Sequence, residues 1–294
     1  MRVLIIGCGY VGLPLGVELL RQGHVVCGLR RSAAGAAILR DAGIEPLTAD
    51  ITRPGDLAGL TPAYDWIVNT TSSGKGGAEE YQEVYFEGTR NLLRWLAPAP
   101  PKKFVYTGSA SVYGQTDASQ VSETSPAEPA TPTGQILLAV EKLLLDAFRE
   151  QHFPAVLLRV AGIYGPERGH YLLQFLKGEA AIPGRGERYL NMIHRNDVIG
   201  GILAVLKSGR AGETYNLVDD EPVRQIHFFR WLSETLGKPM PPFVAETATA
   251  KRGDANRKIL NRKLKMELGC ALRYPTFRQG CTAEIQRLQD AGTL

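Results

Sequence analysis

The run Val3-Leu4-Ile5-Ile6 leads straight into Gly7-Cys8-Gly9-Tyr10-Val11-Gly12. A short apolar strand that meets G-x-G-x-x-G and then opens into helix-forming sequence leaves few folds open. Each glycine has its own reason. Gly7 permits a tight turn, Gly9 lets the backbone approach a bound group, and Gly12 lets the helix pack on the strand. The free N–H groups and positive end of the following helix suit a pyrophosphate. Pro14 falls in the first turn, where a missing N–H does little harm. The turn therefore predicts a bound dinucleotide, with Gly7, Gly9, Tyr10, Val11 and Gly12 against it.

Beyond the turn, strand and helix signals alternate. Val25–Leu29, Trp66–Asn69, Phe104–Thr107 and Ala155–Arg159 are short apolar runs rich in branched residues, as strands buried on both faces should be. Amphipathic segments fall between or after them at Pro14–Gln22, Ala34–Ala42, Glu79–Leu96 and Leu137–Gln151. Such repetition predicts an α/β chain with a doubly wound parallel Rossmann sheet. The pattern loosens after Arg159. A helix is expected at Asp197–Leu206 and a strand at Thr214–Val218. Helical segments are expected around Phe228–Leu236, Arg257–Leu268 and Thr276–Gln289. We expect residues 1–163 and 191–221 to form the dinucleotide-binding domain. Residues 164–190 and 222–294 are expected to form a smaller C-terminal lobe on the substrate side.

The end of the second strand bears on which dinucleotide binds. An NAD site places a carboxylate there, to bond the ribose 2′-hydroxyl. This chain has Arg30-Arg31-Ser32. Two guanidiniums and a hydroxyl suit a 2′-phosphate, which guanidinium grips bidentately. The bland alternative is a solvated basic turn. The expectation is NADP(H) in preference to NAD. Asp50 and Ile51 are expected beside the adenine, and Asn69, Thr70 and Thr71 along the cofactor crevice.

Composition excludes several classes. The formal charge of +4 comes without a clustered Lys/Arg stripe, so no nucleic-acid partner is expected. No apolar run reaches the ~18 residues of a membrane helix, and no signal peptide is expected. Cys8, Cys27, Cys270 and Cys281 form no CxxC pair and have no metal-ligand spacing with histidine. The expectation is a cytoplasmic protein with reduced thiols, no metal and a small-molecule substrate.

Several motifs together resemble the extended short-chain dehydrogenase/reductase superfamily, in its NAD-dependent epimerase/dehydratase branch. They are the glycine turn, Asp50, Gly88-Thr89-Arg90-Asn91-Leu92-Leu93 and Phe104-Val105-Tyr106-Thr107-Gly108-Ser109-Ala110-Ser111-Val112-Tyr113-Gly114. Leu158-Arg159-Val160-Ala161-Gly162-Ile163-Tyr164-Gly165-Pro166 and Asn191-Met192-Ile193-His194-Arg195-Asn196-Asp197-Val198 complete the set. Gly9-Tyr10-Val11-Gly12-Leu13-Pro14-Leu15 also looks like the opening of nucleotide-sugar 6-dehydrogenases. Those require an acidic end to strand two and a nucleophilic cysteine in a glycine-rich loop, whereas Cys270 and Cys281 lie in a helical tail.

Active members of the superfamily carry Tyr-x-x-x-Lys, the tyrosine moving a proton and the lysine lowering its pKa. No tyrosine of this chain has lysine four residues later. A glycine follows the family's tyrosine, and a glutamate lies four residues after its lysine. Gly134 and Glu141 fit both anchors, which puts Thr133 and Leu137 in the tyrosine and lysine slots. The resemblance is thus to atypical members that lack the pair. Ser109 matches the serine that bonds the substrate oxygen. The expected proton donor is Tyr113, with Tyr164 next. The resemblance implies an NADP(H)-dependent oxidoreductase or epimerase/dehydratase-like enzyme acting on a carbonyl or hydroxyl of a small molecule, with a sugar or sugar nucleotide as one expected substrate class. A catalytically silent NADP(H) sensor or scaffold is the alternative. Glu79–Leu96 and Leu137–Gln151 resemble the helices through which extended members dimerise, so a homodimer is expected.

Overall fold

The computed structural model describes residues 1–74, 76–245 and 255–294. Seven strands form one sheet: β1 (Arg2–Ile6), β2 (Val25–Arg30), β3 (Glu45–Thr48), β4 (Trp66–Asn69), β5 (Lys103–Ser109), β6 (Ala155–Val160) and β7 (Thr214–Leu217). Their order is β7-β6-β5-β4-β1-β2-β3. The pairings β1–β2, β1–β4, β2–β3 and β4–β5 are all parallel. Val3, Leu4, Ile5 and the whole of Ala155–Leu158 are fully buried, as strands with both faces covered must be. The chain winds outward from β1 in one direction to β3 and then returns to β4 on the other side. The strand order reverses between β1 and β4, so the loops leaving those two strands flank the crevice where open α/β sheets bind ligands.

By compactness the chain divides into two units. The first comprises residues 1–112, 129–159 and 202–215, and the second 113–128, 160–201 and 216–294. The first is centred on Leu4, Ile6, Leu29, Ile67, Phe104, Tyr106 and Leu157. Helix α1 (Gly12–Arg21) follows β1, and α2 (Ala34–Asp41) follows β2. Helix α3 (Gly88–Leu96) is the last part of a longer helical segment. It is preceded by one α-helical turn at Ala78–Tyr81 and by a π-helical stretch at Gln82–Glu87, so the expected single helix Glu79–Leu96 is broken in pitch. Helix α4 (Pro132–Gln151) starts five residues before the expected Leu137. Thr131 caps it by accepting Gly134 N–H, and Pro132 supplies the preset φ of a first helical position.

The second unit packs around Phe228, Phe229, Phe277, Leu172 and Ile182. Helix Phe277–Asp290 opens with a capping box between Thr276 and Gln279. Two expectations change. Glu45–Thr48 was not among the expected strands. Its Pro46 and half-exposed side chains mask the pattern, and both are tolerated because β3 is an edge strand. The expected helix Arg257–Leu268 begins only at Arg262. Upstream of it, Lys258–Ile259 pairs in parallel with Gln120–Val121. The Asn191 amide fixes this stretch as extended by accepting Ile259 N–H and donating to Arg257 O. Among the described residues, no helix is long and apolar enough to cross a membrane.

Candidate functional site

The glycine turn is held from both sides. Gly7 and Cys8 N–H both donate to Leu29 O, and Gly9 N–H folds back on Gly7 O at 2.6 Å. Gly7 has φ +74°, and a Cβ there would lie 2.6 Å from Thr71 Cα, so no other residue fits. A Cβ on Gly12 would sit 2.8 Å from Ile5 Cγ2 and 2.9 Å from Thr70 Oγ1. Gly9 is different: a Cβ would meet nothing nearer than 3.7 Å. The chain keeps open space there where packing does not demand it, as a backbone approached by a ligand requires. Helix α1 has no side-chain cap and no acidic residue in its first turn, so its N-terminal end stays positive.

The loop after β4 closes the other side. Thr70 Oγ1 lies within hydrogen-bond reach of Ile6 O and Gly7 O. Asn69 is buried; its Oδ1 accepts Thr71 N–H, and its carbonyl accepts the Thr107 hydroxyl. Asn69 therefore shapes the crevice with its side chain already committed. Thr71 Oγ1 is buried beside Gly7 with no partner among the described residues, the state of a group that awaits one. Asp50 Oδ1 accepts both the N–H and the hydroxyl of Thr52, while Ile51 is buried against Gly88.

Arg30 ends β2, and its guanidinium reaches back over the turn. Nη2 lies 3.8 Å from the place of a Gly9 Cβ, and Nη1 2.7 Å from that of a Gly35 Cβ. Gly35, near the start of α2, is thus the residue that makes room for Arg30. The cation partly offsets burial at Cys8, whose thiol is nonetheless pushed up to about 12 by desolvation. Arg31 and Ser32 are exposed, and Arg31 Nη2 comes within 4.0 Å of a Gly74 Cβ position in the loop beyond β4. An open glycine, an uncapped helix end, an orphaned hydroxyl and an overlying guanidinium form a donor set that fits a dinucleotide phosphate.

Ser109 ends β5, the neighbour of β4, and its Oγ accepts Ser111 N–H. Thr133 lies in the first turn of α4, its hydroxyl 3.4 Å from that of Thr131. Leu137 is buried. Both anchors that locate these slots have packing reasons. A Gly134 Cβ would be 2.7 Å from Pro129 Cβ, so glycine is obligatory there. Glu141 pairs with Arg159 in the interior through bonds of 3.1, 3.2 and 2.8 Å. Burial raises the Glu141 pKa, and the guanidinium opposes that.

Residues 3–217 match the model of the NAD dependent epimerase/dehydratase family. The chain belongs to that family. It is 27% identical over 283 residues to Protein YeeZ of Escherichia coli, covering 93% of this chain and 96% of the relative. A structure of a functionally unknown conserved protein from Silicibacter pomeroyi superposes with a TM-score of 0.80 at 26% identity, over 97% of this chain and 98% of that one. DesIV, a dTDP-glucose 4,6-dehydratase from Streptomyces venezuelae with NAD bound, has a TM-score of 0.84 at 23% identity, over 99% and 97% of the two chains. It shares the fold. Membership of this family makes the chain an enzyme of the extended short-chain dehydrogenase type.

The expected proton donors are corrected by their surroundings, all within the second unit. Tyr113 is 1% exposed. Its hydroxyl lies 2.7 Å from Asn216 Oδ1 and 3.0 Å from Ser122 O, so its proton is bound to interior acceptors. The Asn216 amide is itself fixed by donating to Leu260 O. Tyr164 is buried edge-on to His194, and its hydroxyl would collide with any Cβ on Gly280. Desolvation drives its pKa far up. His194 bridges to Glu284 at 3.1 Å and accepts Asn196 N–H, which is a structural assignment. Neither tyrosine is an accessible acid. Tyr85, which carries no motif of its own in the sequence, places its hydroxyl on Ser73 N–H just past β4.

Proposed function

We infer that this protein is an NADP(H)-dependent enzyme of the epimerase/dehydratase family acting on a carbonyl or hydroxyl of a small molecule, with a sugar or sugar nucleotide as the substrate class. The observation that carries the cofactor choice is Arg30, lodged between Gly9 and Gly35, with Arg31 and Ser32 following and no carboxylate ending β2. The bound cofactor would supply or take a hydride at a carbon bearing oxygen. The chain's own residues do the rest. Gly7, Gly9 and the α1 N-terminus take the pyrophosphate, with Tyr10 and Val11 contributing backbone to the same turn. Arg30, Arg31 and Ser32 take the 2′-phosphate. Thr71 offers its unpartnered hydroxyl to the crevice, and Ser109 orients the substrate oxygen. Ile136 of α4, flanked by Ala78, Gln82 and Glu83 of the helical segment before α3, offers the apolar surface on which the homodimer reading rests. The reading also takes the protein to be cytoplasmic.

Fluorescence titration tests the assignment. NADPH should bind at least about tenfold tighter than NADH, roughly 1.4 kcal/mol. Arg30→Ala with Arg31→Ala should erase the difference, and equal affinities in the unaltered protein would sink the NADP(H) assignment. A second reading, a cofactor-binding sensor without turnover, draws on Thr133 and Leu137 in the slots of the tyrosine and lysine. Absence of NADPH consumption across a broad carbonyl panel would favour it.

A further inference from the structure

With Thr133 and Leu137 in place of the usual pair, and with Tyr113 and Tyr164 sealed, the reaction lacks an acid. The remaining tyrosines of the first unit differ sharply. Tyr106 is completely buried, and its hydroxyl has no partner among the described residues. Tyr64 lies beside Cys27, Arg2 and Glu45. Tyr85 combines partial exposure with a hydroxyl bonded to the loop just past β4.

Three features place Tyr85 there. It sits in the π-helical stretch Gln82–Glu87, a wide turn of the kind that recurs at functional sites. Its ring packs on Tyr81 at 4.8 Å, one turn earlier. Its oxygen accepts Ser73 N–H at 3.1 Å, four residues beyond the end of β4. The same loop is pinned by Glu80, whose carboxylate accepts Gly74 N–H and Gly76 N–H. On the adjacent strand, Ser109 lies three residues beyond Tyr106, the residue in register with Asn69. Ser109 ends β5, and the Tyr85 hydroxyl is bonded to the loop that leaves the neighbouring β4, at the edge that carries the cofactor turn.

The hydrogen-bond direction matters. Ser73 N–H donates to the phenol oxygen, and the Ser73 hydroxyl faces the same oxygen. Both are already aimed at the oxygen that becomes a phenolate. Burial raises the Tyr85 pKa, while Ser73 pulls it back through its N–H and its hydroxyl; Tyr81 and Glu80 raise it, and Tyr106 faces it from β5.

We propose that Tyr85 is the proton donor and acceptor of this enzyme, with Ser73 N–H holding its phenolate. This rests on the reading of the chain as an NADP(H)-dependent carbonyl/hydroxyl enzyme. In the reductive direction the carbonyl carbon accepts the hydride supplied by NADPH and the C=O π pair moves to oxygen. That oxygen takes the Tyr85 proton, and water then reprotonates the phenolate. Alcohol and NADP⁺ leave, and the reverse sequence oxidises an alcohol.

The test needs a readout that does not depend on turnover. A phenol beside the oxidised nicotinamide titrates at lower pH, because the positive ring favours phenolate. Tyrosinate absorbance is followed against pH in the full-length protein, with and without NADP⁺. The unaltered protein should have one tyrosine whose titration moves down on NADP⁺ binding. Tyr85→Phe should lose that tyrosine, and Tyr81→Phe should keep it, with cofactor affinity and circular dichroism unchanged in both. Absence of the shift, or its survival in Tyr85→Phe, overturns the placement. With NADPH and 4-nitrobenzaldehyde as probe, Tyr85→Phe should lose on the order of 10²–10⁴ in rate. Turnover by the unaltered protein that survives in Tyr85→Phe overturns the role of Tyr85 alone. A cofactor-linked shift without NADPH consumption on any carbonyl overturns the enzymatic reading, and the role of Tyr85 with it.

Discussion

Tyr113→Phe separates a catalytic tyrosine from a structural one. The substitution removes one oxygen and leaves the ring in a site only 1% exposed, so packing changes little. What is lost is the donor to Asn216 Oδ1 at 2.7 Å and Ser122 O at 3.0 Å. One proton serves these two acceptors, so the loss is one net hydrogen bond plus a buried acceptor left without a donor. An unsatisfied buried group costs about 1–3 kcal/mol. The Asn216 amide cannot turn to compensate, because its Nδ2 is held by Leu260 O and its backbone N–H by Glu123. At about 2–4 °C per kcal/mol for chains of this size, the melting temperature should fall by roughly 2–12 °C. Scanning calorimetry measures this directly, and NADPH affinity by fluorescence should be unchanged. A melting temperature equal to that of the unaltered protein would refute the burial argument. An unchanged melting temperature together with a hundredfold loss of turnover would restore Tyr113 as the acid.

Further outcomes follow from other buried or half-buried groups. Asp219 is 2% exposed with Oδ2 unpartnered among the described residues, and desolvation raises its pKa well above the ordinary value. A raised folded-state pKa means stability that is full below the unfolded value and is lost as pH climbs through the folded one. Asp219→Asn should therefore raise the melting temperature at pH 8 by at least about 2 °C and flatten its dependence on pH, and a lower value would count against a neutral Asp219. Ile136 is half-buried beside Ala78, Gln82 and Glu83. If this face joins two copies, Ile136→Asp should weaken dimerisation at least about tenfold by light scattering, and a monomeric unaltered protein would exclude the interface.

The features readable from sequence are those set by neighbours in the chain. The glycine turn follows from local sterics, and Gly7, Gly9 and Gly12 do three separate jobs within six residues. The sheet follows from the spacing of apolar runs. Tyr113 could not be read this way, because its partner Asn216 is 103 residues distant and brings an acceptor that no local pattern announces. Glu141 was visible only as a family anchor, and its ion pair with Arg159 supplies the physical reason afterwards. The pitch change at Gln82–Glu87 turns Tyr85 toward Ser73, and helical periodicity alone does not announce such a change. β3 was missed because an edge strand does not need two apolar faces.

The two anchors around the altered slots carry one more consequence. Gly134 is required because Pro129 and Ser111 O crowd its Cα, and Glu141 because Arg159 would otherwise be a buried charge without its counter-ion. Both constraints belong to the seating of α4 and hold whatever chemistry the enzyme performs. Thr133 precedes Gly134 in the first turn and Leu137 lies between the two anchors; neither is fixed by a comparable backbone clash or ion pair, so the helix can sit unchanged while the proton-transfer apparatus moves elsewhere. Leu137 is part of that rearrangement. At 5% exposure it lies where an ammonium would be stripped of water, so restoring a lysine there without the ribose and phenolate that stabilise it would cost stability. The chemical pair and the helix that carries it are thus separable. A donor on the neighbouring helical segment, bonded to the loop after β4, reaches the same strand edge without disturbing the Glu141–Arg159 pair on which α4 depends.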